Sequence, residues 1–203
     1  MSVVSVAEAR HAMYRQQVLN AAEIEFGKAG FADTRMDAIA ATAGLSLATV
    51  YKTFAGKGEI WDALHKDRMD ALLASVEGSG DEGQSGLDRL LASVAAVARF
   101  LADNPAYLEL NIRVGGWASS YHQAHGVQRS VWSAGIDMLA AGIQHAVDAD
   151  RLPAIRPQIG AAMVVSALQA WLTDWVVQER DRDIDVVIDE MQQHLRRMLA
   201  GSR

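Results

Sequence analysis

From Ile159 to Val177 the chain reads IGAAMVVSALQAWLTDWVV, apolar nearly all the way round a helix. A helix of that kind must be covered on more than one side. Ser166, Gln169, Thr173 and Asp174 interrupt the run, which argues for a buried helix of a soluble protein and against a membrane span. One cover follows at once in the chain. Ile184, Val187, Ile188, Met191, Leu195, Met198 and Leu199 fall on a single helical stripe, with Asp183 and Asp185 at its start and Arg196 and Arg197 at its end, as the helix dipole favours. The remaining cover is expected from a second copy, so the last two helices predict a four-helix homodimer interface.

The rest of the chain is read the same way. No segment alternates as a strand does; helical spacing recurs, punctuated by Gly, Asp and Pro. A first helix is expected over Ala7–Ala29, stopped by Gly30, with Val18, Ala22 and Phe26 four apart. A short second helix carries Met36, Ile39 and Ala40 inward, with Thr34 as N-cap and Asp37 three residues on. Gly44 ends it, and Ser46 caps a third helix, Leu47 to Thr53. Gly56 or a neighbour caps a fourth, Lys57–Glu77. After a flexible loop at 78–86 come helices over Leu87–Ala102 and on to Val114, a break at Gly115 and Gly116, and a longer helix to Ala149. Pro157–Gln178 and Asp183–Ala200 close the chain. The predicted fold is all-α: an N-terminal three-helix domain over 1–56 and a C-terminal helical domain over 57–203.

Composition narrows the function. There is no cysteine, which excludes thiolate catalysis, disulfide scaffolds and Cys-rich zinc sites. No Gly-rich phosphate loop, nucleophile elbow, HExxH or paired-carboxylate signature is present, so neither enzyme chemistry nor a cofactor is expected. His122 and His125 have helical metal-ligand spacing but no carboxylate or cysteine beside them, and read as a surface pair; His65 and His145 stand singly. The start, MSVVSVAEARHAMYR, holds no apolar run of signal-peptide length, which predicts a cytoplasmic protein. The net charge of −6 is unevenly spread. Residues 1–58 carry Arg10, Arg15, Lys28, Arg35, Lys52 and Lys57 against Glu8, Glu23, Glu25, Asp33 and Asp37, net +1; the remainder is net −7. An N-terminal end able to approach phosphates and an acidic body follow from that asymmetry.

The stretch AGLSLATVYKTFAGKGEI, from Ala43 to Ile60, concentrates the signal. Helix, a short turn with Gly, then a short helix is the helix-turn-helix pattern. Gly44 supplies a positive φ for the turn, and Ala40, Ala43 and Ala48 let the two helices pack closely. Ser46, Thr49, Tyr51 and Lys52 point away from that packing as donors of a length to reach a phosphate or a base edge.

On these residues the chain resembles the TetR family of transcriptional regulators, over about Arg15 to Leu64. Ala21-Ala22, Phe26, Gly30-Phe31, Thr34, Ile39-Ala40, Ala43-Gly44-Leu45-Ser46, Thr49-Val50-Tyr51, Phe54 and Lys57 match the family pattern at fixed spacing. The resemblance implies a dimeric regulator whose N-terminal domains bind double-stranded operator DNA and whose C-terminal domain binds a small effector. It implies Thr34 as a phosphate contact, Tyr51 and Lys57 as a phosphate clamp, and Ser46, Thr49 and Lys52 in the groove. Arg35 departs from the pattern and offers an extra phosphate contact. Leu47 also departs, either packing on a thymine methyl or facing solvent. Thr34 and Ser46 equally suit plain helix caps, and both roles can coexist. Arg10 and Arg15 read as a solvated helix face, the alternative being an N-terminal arm in the minor groove. A dimer would set two recognition helices roughly 34–36 Å apart, one DNA turn.

The C-terminal half is rich in aromatic residues, from which an effector pocket is expected. Phe100, Tyr107, Trp117, Tyr121, Trp132, Trp171 and Trp175 supply the rings, Met138 and Met163 adaptable surface, and Asn111, His122, His125 or Asp174 the polar groups. The alternative for these residues is plain core packing. The expected function is a ligand-responsive repressor released by a largely apolar or aromatic effector. Its rivals are a helical adaptor or an uncharacterised enzyme with a non-functional helix-turn-helix.

Overall fold

The computed structural model describes residues 5–77, 79, 83–113, 126–150 and 152–200, with side chains for all of these except 113 and 126–132. The expected break at Gly115 and Gly116, with Trp117, Tyr121, His122 and His125, lies outside the described residues, as does the side chain of Trp132. Among the described residues there are nine α-helices and no strand: α1 (Val6–Asp33), α2 (Met36–Ala43), α3 (Leu47–Thr53), α4 (Lys57–Val76), α5 (Gly86–Asp103), α6 (Pro105–Arg113), α7 (Gly126–Asp150), α8 (Pro157–Val177) and α9 (Ile184–Ala200).

The chain divides into two compact units, one through Arg68 and one from Met69. The sequence reading set its boundary after residue 56, whereas the compact units divide inside α4. The first turns of α4 belong to the N-terminal unit because Ile60, Leu64 and His65 are buried there and Arg68 pairs with Glu23 of α1.

The N-terminal unit packs α1, α2 and α3 on one another, with Val18, Leu19, Phe26, Ile39, Val50 and Phe54 at its centre. α1 opens on a capping box, Ser5 Oγ accepting from the Glu8 amide and the Glu8 carboxylate accepting from the Ser5 amide. Gly30, at φ 79° and ψ 167°, breaks the helical path of α1 where the sequence places its stop.

In the C-terminal unit α7 packs on α5 and α8, and α9 lies on α5 and α8. Two small residues set the spacing. A Cβ on Gly86 would sit 2.8 Å from the Ala146 Cα, and one on Gly160 would sit 3.0 Å from the Ile143 side chain. Asp150, at the end of α7, accepts the Gly86 and Leu87 amides (3.1 and 2.6 Å), and Ser85 accepts the Asp88 amide. The start of α5 is thus capped twice. Of the expected stripe α9 buries Val187, Ile188, Met191, Leu195 and Leu199, with Ile184 and Met198 half-buried, and its Gln192 donates to the Leu91 carbonyl.

Within the single chain α8 is covered on one face. Gly160, Ala161, Val164, Leu168, Leu172 and Trp175 face inward. Ile159 is 49% exposed and Val177 67%, with Ala162, Ser166 and Ala170 also outside.

Candidate nucleic-acid interface and ligand cavity

Local chemistry builds the helix-turn-helix. Gly44 is left-handed (φ 66°, ψ 27°); its amide donates to the Ala41 carbonyl at 3.1 Å and the Leu45 amide to the Ala40 carbonyl at 3.0 Å, a Schellman closure of α2. Two residues later Ser46 caps α3, its Oγ accepting from the Thr49 amide at 3.1 Å and lying 2.8 Å from Thr49 Oγ1. Val50 and Phe54 are buried. Ser46, Leu47, Ala48, Tyr51 and Lys52 therefore face solvent, with Tyr51 51% exposed. Tyr51 is not a core residue, and Thr49 is half-buried beside Ser46.

Three residues around this helix are differently engaged from expectation. Arg35, not Thr34, is the N-cap of α2, and its side chain makes no capping bond. Thr34 is buried and ends α1 instead; its hydroxyl donates to the Gly30 carbonyl at 2.7 Å, with the Glu25 carbonyl at 3.1 Å. The Thr34 hydroxyl proton is thus turned into the fold. The expected capping role of Asp37 is also replaced: its carboxylate takes both Nε and Nη2 of Arg35 (3.0 and 2.7 Å), and this pairing holds the Asp37 carboxyl below the usual range. Both partners are exposed, so a phosphate can compete for Arg35.

Lys57 sits over the Phe31 ring and donates to the Ala32 and Thr34 carbonyls at 2.8 and 2.9 Å. The break at Gly30 leaves those carbonyls without helical partners, and the ammonium supplies them. Lys57 has one N–H left for a phosphate. Two further features escape the sequence reading. Glu23, buried on α1, holds Arg68 through two hydrogen bonds. Phe26, Phe31, Trp61 and His65 form a chain of ring contacts with centroids 4.4–5.8 Å apart. The hint for the first was a carboxylate on the stripe of Leu19, Ala22 and Phe26.

The family model for bacterial regulatory proteins of the tetR family matches residues 18–64. The HTH-type transcriptional repressor SCO4008 of Streptomyces coelicolor is 33% identical over 82 residues, 40% of this chain and 43% of that protein. The match thus spans less than half the length of that curated relative. A TetR-like transcriptional regulator from Rhodococcus sp. RHA1 superposes with a TM-score of 0.74 at 25% identity, over 94% of this chain and 98% of that one. Residues 18–64 thus carry the DNA-binding domain of the tetR family, and over nearly its whole length the chain is similar in fold to a TetR-like regulator. The transcriptional regulator FadR from Bacillus subtilis, solved in complex with stearoyl-CoA, shares the fold at 16% identity and a TM-score of 0.76, over 93% and 99% of the two chains.

In the C-terminal unit the expected effector residues are not gathered into one pocket. The C-terminal unit holds a cavity of about 270 Å³, lined by Met69, Leu72, Leu73 and Val76 of α4, Leu90, Val94 and Val97 of α5, Ile136, Met138 and Leu139 of α7, and Val164, Val165 and Leu168 of α8. Of the expected residues it contains Met138 alone among those described. Asn111 is buried but donates to the Tyr107 carbonyl at 2.7 Å, one turn back on its own helix. Tyr107 is buried and Phe100 half-buried, both outside the cavity lining. Trp175 donates to the Arg182 carbonyl, and Asp174 pairs with Arg182 at 3.0 Å. Trp171 meets His194 in a tilted ring contact, centroids 5.1 Å apart, and with Met163, Ile159 and Met198 lines an open groove on the outer side of α8 and α9. Helical phase is the reason: Val164 and Leu168 face the cavity, while Met163 and Trp171 turn to the other side of α8.

Proposed function

We propose that this protein is a ligand-responsive repressor that binds a palindromic operator as a homodimer and releases it when a small, largely apolar effector occupies the C-terminal cavity. The observation that carries the reading is the outer face of α3. Ser46, Leu47, Tyr51 and Lys52 are exposed together on a helix whose inner side, Val50, is buried. Such a face can enter a major groove, with Tyr51 on a phosphate and Ser46, Leu47, Thr49 and Lys52 toward the groove. Arg35 and the free donor of Lys57 add phosphate contacts at the flank. Thr34 contributes through its place in the turn.

The dimer is supported by the open apolar side of α8 and α9, where Ile159, Met163, Trp171 and Met198 meet. A bundle that exposes such a face gains by pairing with its own copy. Repression follows the named role of the Streptomyces relative. The effector site is the aliphatic cavity, and the fold houses a ligand in Bacillus subtilis FadR. Such a regulator works in the cytoplasm, without cofactor or metal and without catalysis.

Selection of bound duplexes from a random pool tests the proposal. Enriched sequences should be inverted repeats with half-sites about one helical turn apart. Lys52→Ala should weaken binding to the selected duplex, and Arg35→Ala should lower the salt slope by about 0.9 for a lost phosphate contact. Equal affinity for selected and random duplexes would end the reading.

A further inference from the structure

The described lining of the C-terminal cavity is one-sided in its chemistry. Leu72, Leu73, Leu90, Val94, Leu139 and Val164 bring branched carbons from four helices, and no Phe, Tyr or Trp among the described residues reaches it. Walls of that kind reward dehydration of a flexible chain. They give a flat ring nothing to stack on.

Three polar side chains interrupt the lining: Arg89, Ser93 and His145. Ser93 is already used, donating to the Arg89 carbonyl at 3.1 Å and sharing a contact with Ser79. His145 is exposed. Arg89 pairs with no described carboxylate, and its single side-chain hydrogen bond is a 3.5 Å contact to the Gln84 carbonyl. That distance is at the limit of a hydrogen bond. A guanidinium with five donors and, among the described residues, one marginal partner, at the wall of an apolar cavity, is suited to a carboxylate or phosphate. No Asp or Glu among the described residues lines the cavity, so a cation finds no counter-charge there.

We propose that the effector is an aliphatic anion, its chain lying among the leucines and valines and its carboxylate or phosphate on Arg89. The inference rests on the cavity being the effector site and adds the chemical class. A cavity of about 270 Å³ has room for an aliphatic chain of medium length, for which a ten-carbon chain serves as probe.

Calorimetric titration of the full-length protein with decanoate, decanoyl-coenzyme A, decanol, decyltrimethylammonium and 2-naphthoate is the test, on wild type, Arg89→Met and Gly135→Leu. Gly135 lines the cavity with nothing within 4 Å of its Cβ position, so a leucine there grows into open space. Decanoate or its coenzyme A thioester should bind on the order of tenfold tighter than decanol, and the one that binds better identifies the source of the anion. The ammonium compound and naphthoate should be weaker than decanoate. Arg89→Met should bring decanoate down to decanol while decanol is unchanged, and Arg89→Gln serves if the Met variant does not fold. Gly135→Leu should weaken every chain ligand. Decanol, the ammonium or naphthoate matching both anions, or Arg89→Met leaving the anions' advantage intact, overturns the inference. If Gly135→Leu still weakens binding in that case, the cavity remains the effector site. Absence of binding by every chain ligand, or affinities unmoved by Gly135→Leu, removes the effector-site reading and the inference with it.

Discussion

Gly86→Ala should destabilise the C-terminal unit, although alanine is the better helix former. The added methyl would lie 2.8 Å from the Ala146 Cα and 3.4 Å from its N and Cβ. Carbon pairs rest at about 3.5–4.0 Å, so the closest contact is short by about 0.7–1.2 Å. A backbone carbon cannot rotate aside, so relief requires α5 and α7 to part. Parting stretches the bonds from the Gly86 and Leu87 amides to the Asp150 carboxylate, now 3.1 and 2.6 Å. Overpacking of this kind costs about 1–3 kcal/mol, against which the helix propensity of alanine returns at most about 1 kcal/mol. A net loss of about 1–2 kcal/mol corresponds to a fall in Tm of roughly 2–8 °C for a chain of this size. Gly135→Ala is the control: with nothing within 4 Å of its Cβ it should gain up to about 1 kcal/mol. Thermal and urea unfolding followed by far-UV circular dichroism, at one protein concentration, measure both. Wild-type stability in Gly86→Ala, or both variants moving the same way, would refute the reasoning.

Lys57→Met should lower stability by about 1–2 kcal/mol in the absence of DNA, since its ammonium holds the Ala32 and Thr34 carbonyls; a lysine used only for phosphate would leave the urea midpoint unmoved. Burial holds the His65 imidazole down to about 4 from an ordinary 6.5. The unfolded chain takes up that proton first, so stability is whole above pH 6.5 and is lost as pH falls toward 4, by on the order of 3 kcal/mol. His65→Gln should flatten that stretch of a urea-midpoint profile. Ile159→Asp, at a position half exposed in the single chain, should leave helix content unchanged yet shift sedimentation from dimer to monomer.

The parts of the molecule that were legible in the sequence are those fixed by neighbours along the chain. α3 spans Leu47–Thr53 as read, because a left-handed Gly44 and a capping Ser46 bound it within three residues. The α9 stripe was legible because five buried residues repeat at helical spacing. Partners distant in sequence were not. The hydroxyl of Thr34 and the ammonium of Lys57 look available to phosphate until the Gly30 break presents carbonyls to them. The boundary at Arg68 lies inside one continuous helix, whose sequence carries no mark where its packing partners change. The tryptophans drew attention to α8, whereas the cavity is made of common aliphatic residues from four helices, a placement no local pattern encodes.

The double cap on α5 has a consequence for synthesis. Gly86 emerges from the ribosome 64 residues before Asp150, whose carboxylate its amide requires. At roughly 5–20 residues per second, that amide waits about 3–13 s for its acceptor, bonded to water meanwhile. A nascent chain arrested short of Asp150 would therefore keep a frayed α5, and the C-terminal unit would set only once α7 is translated.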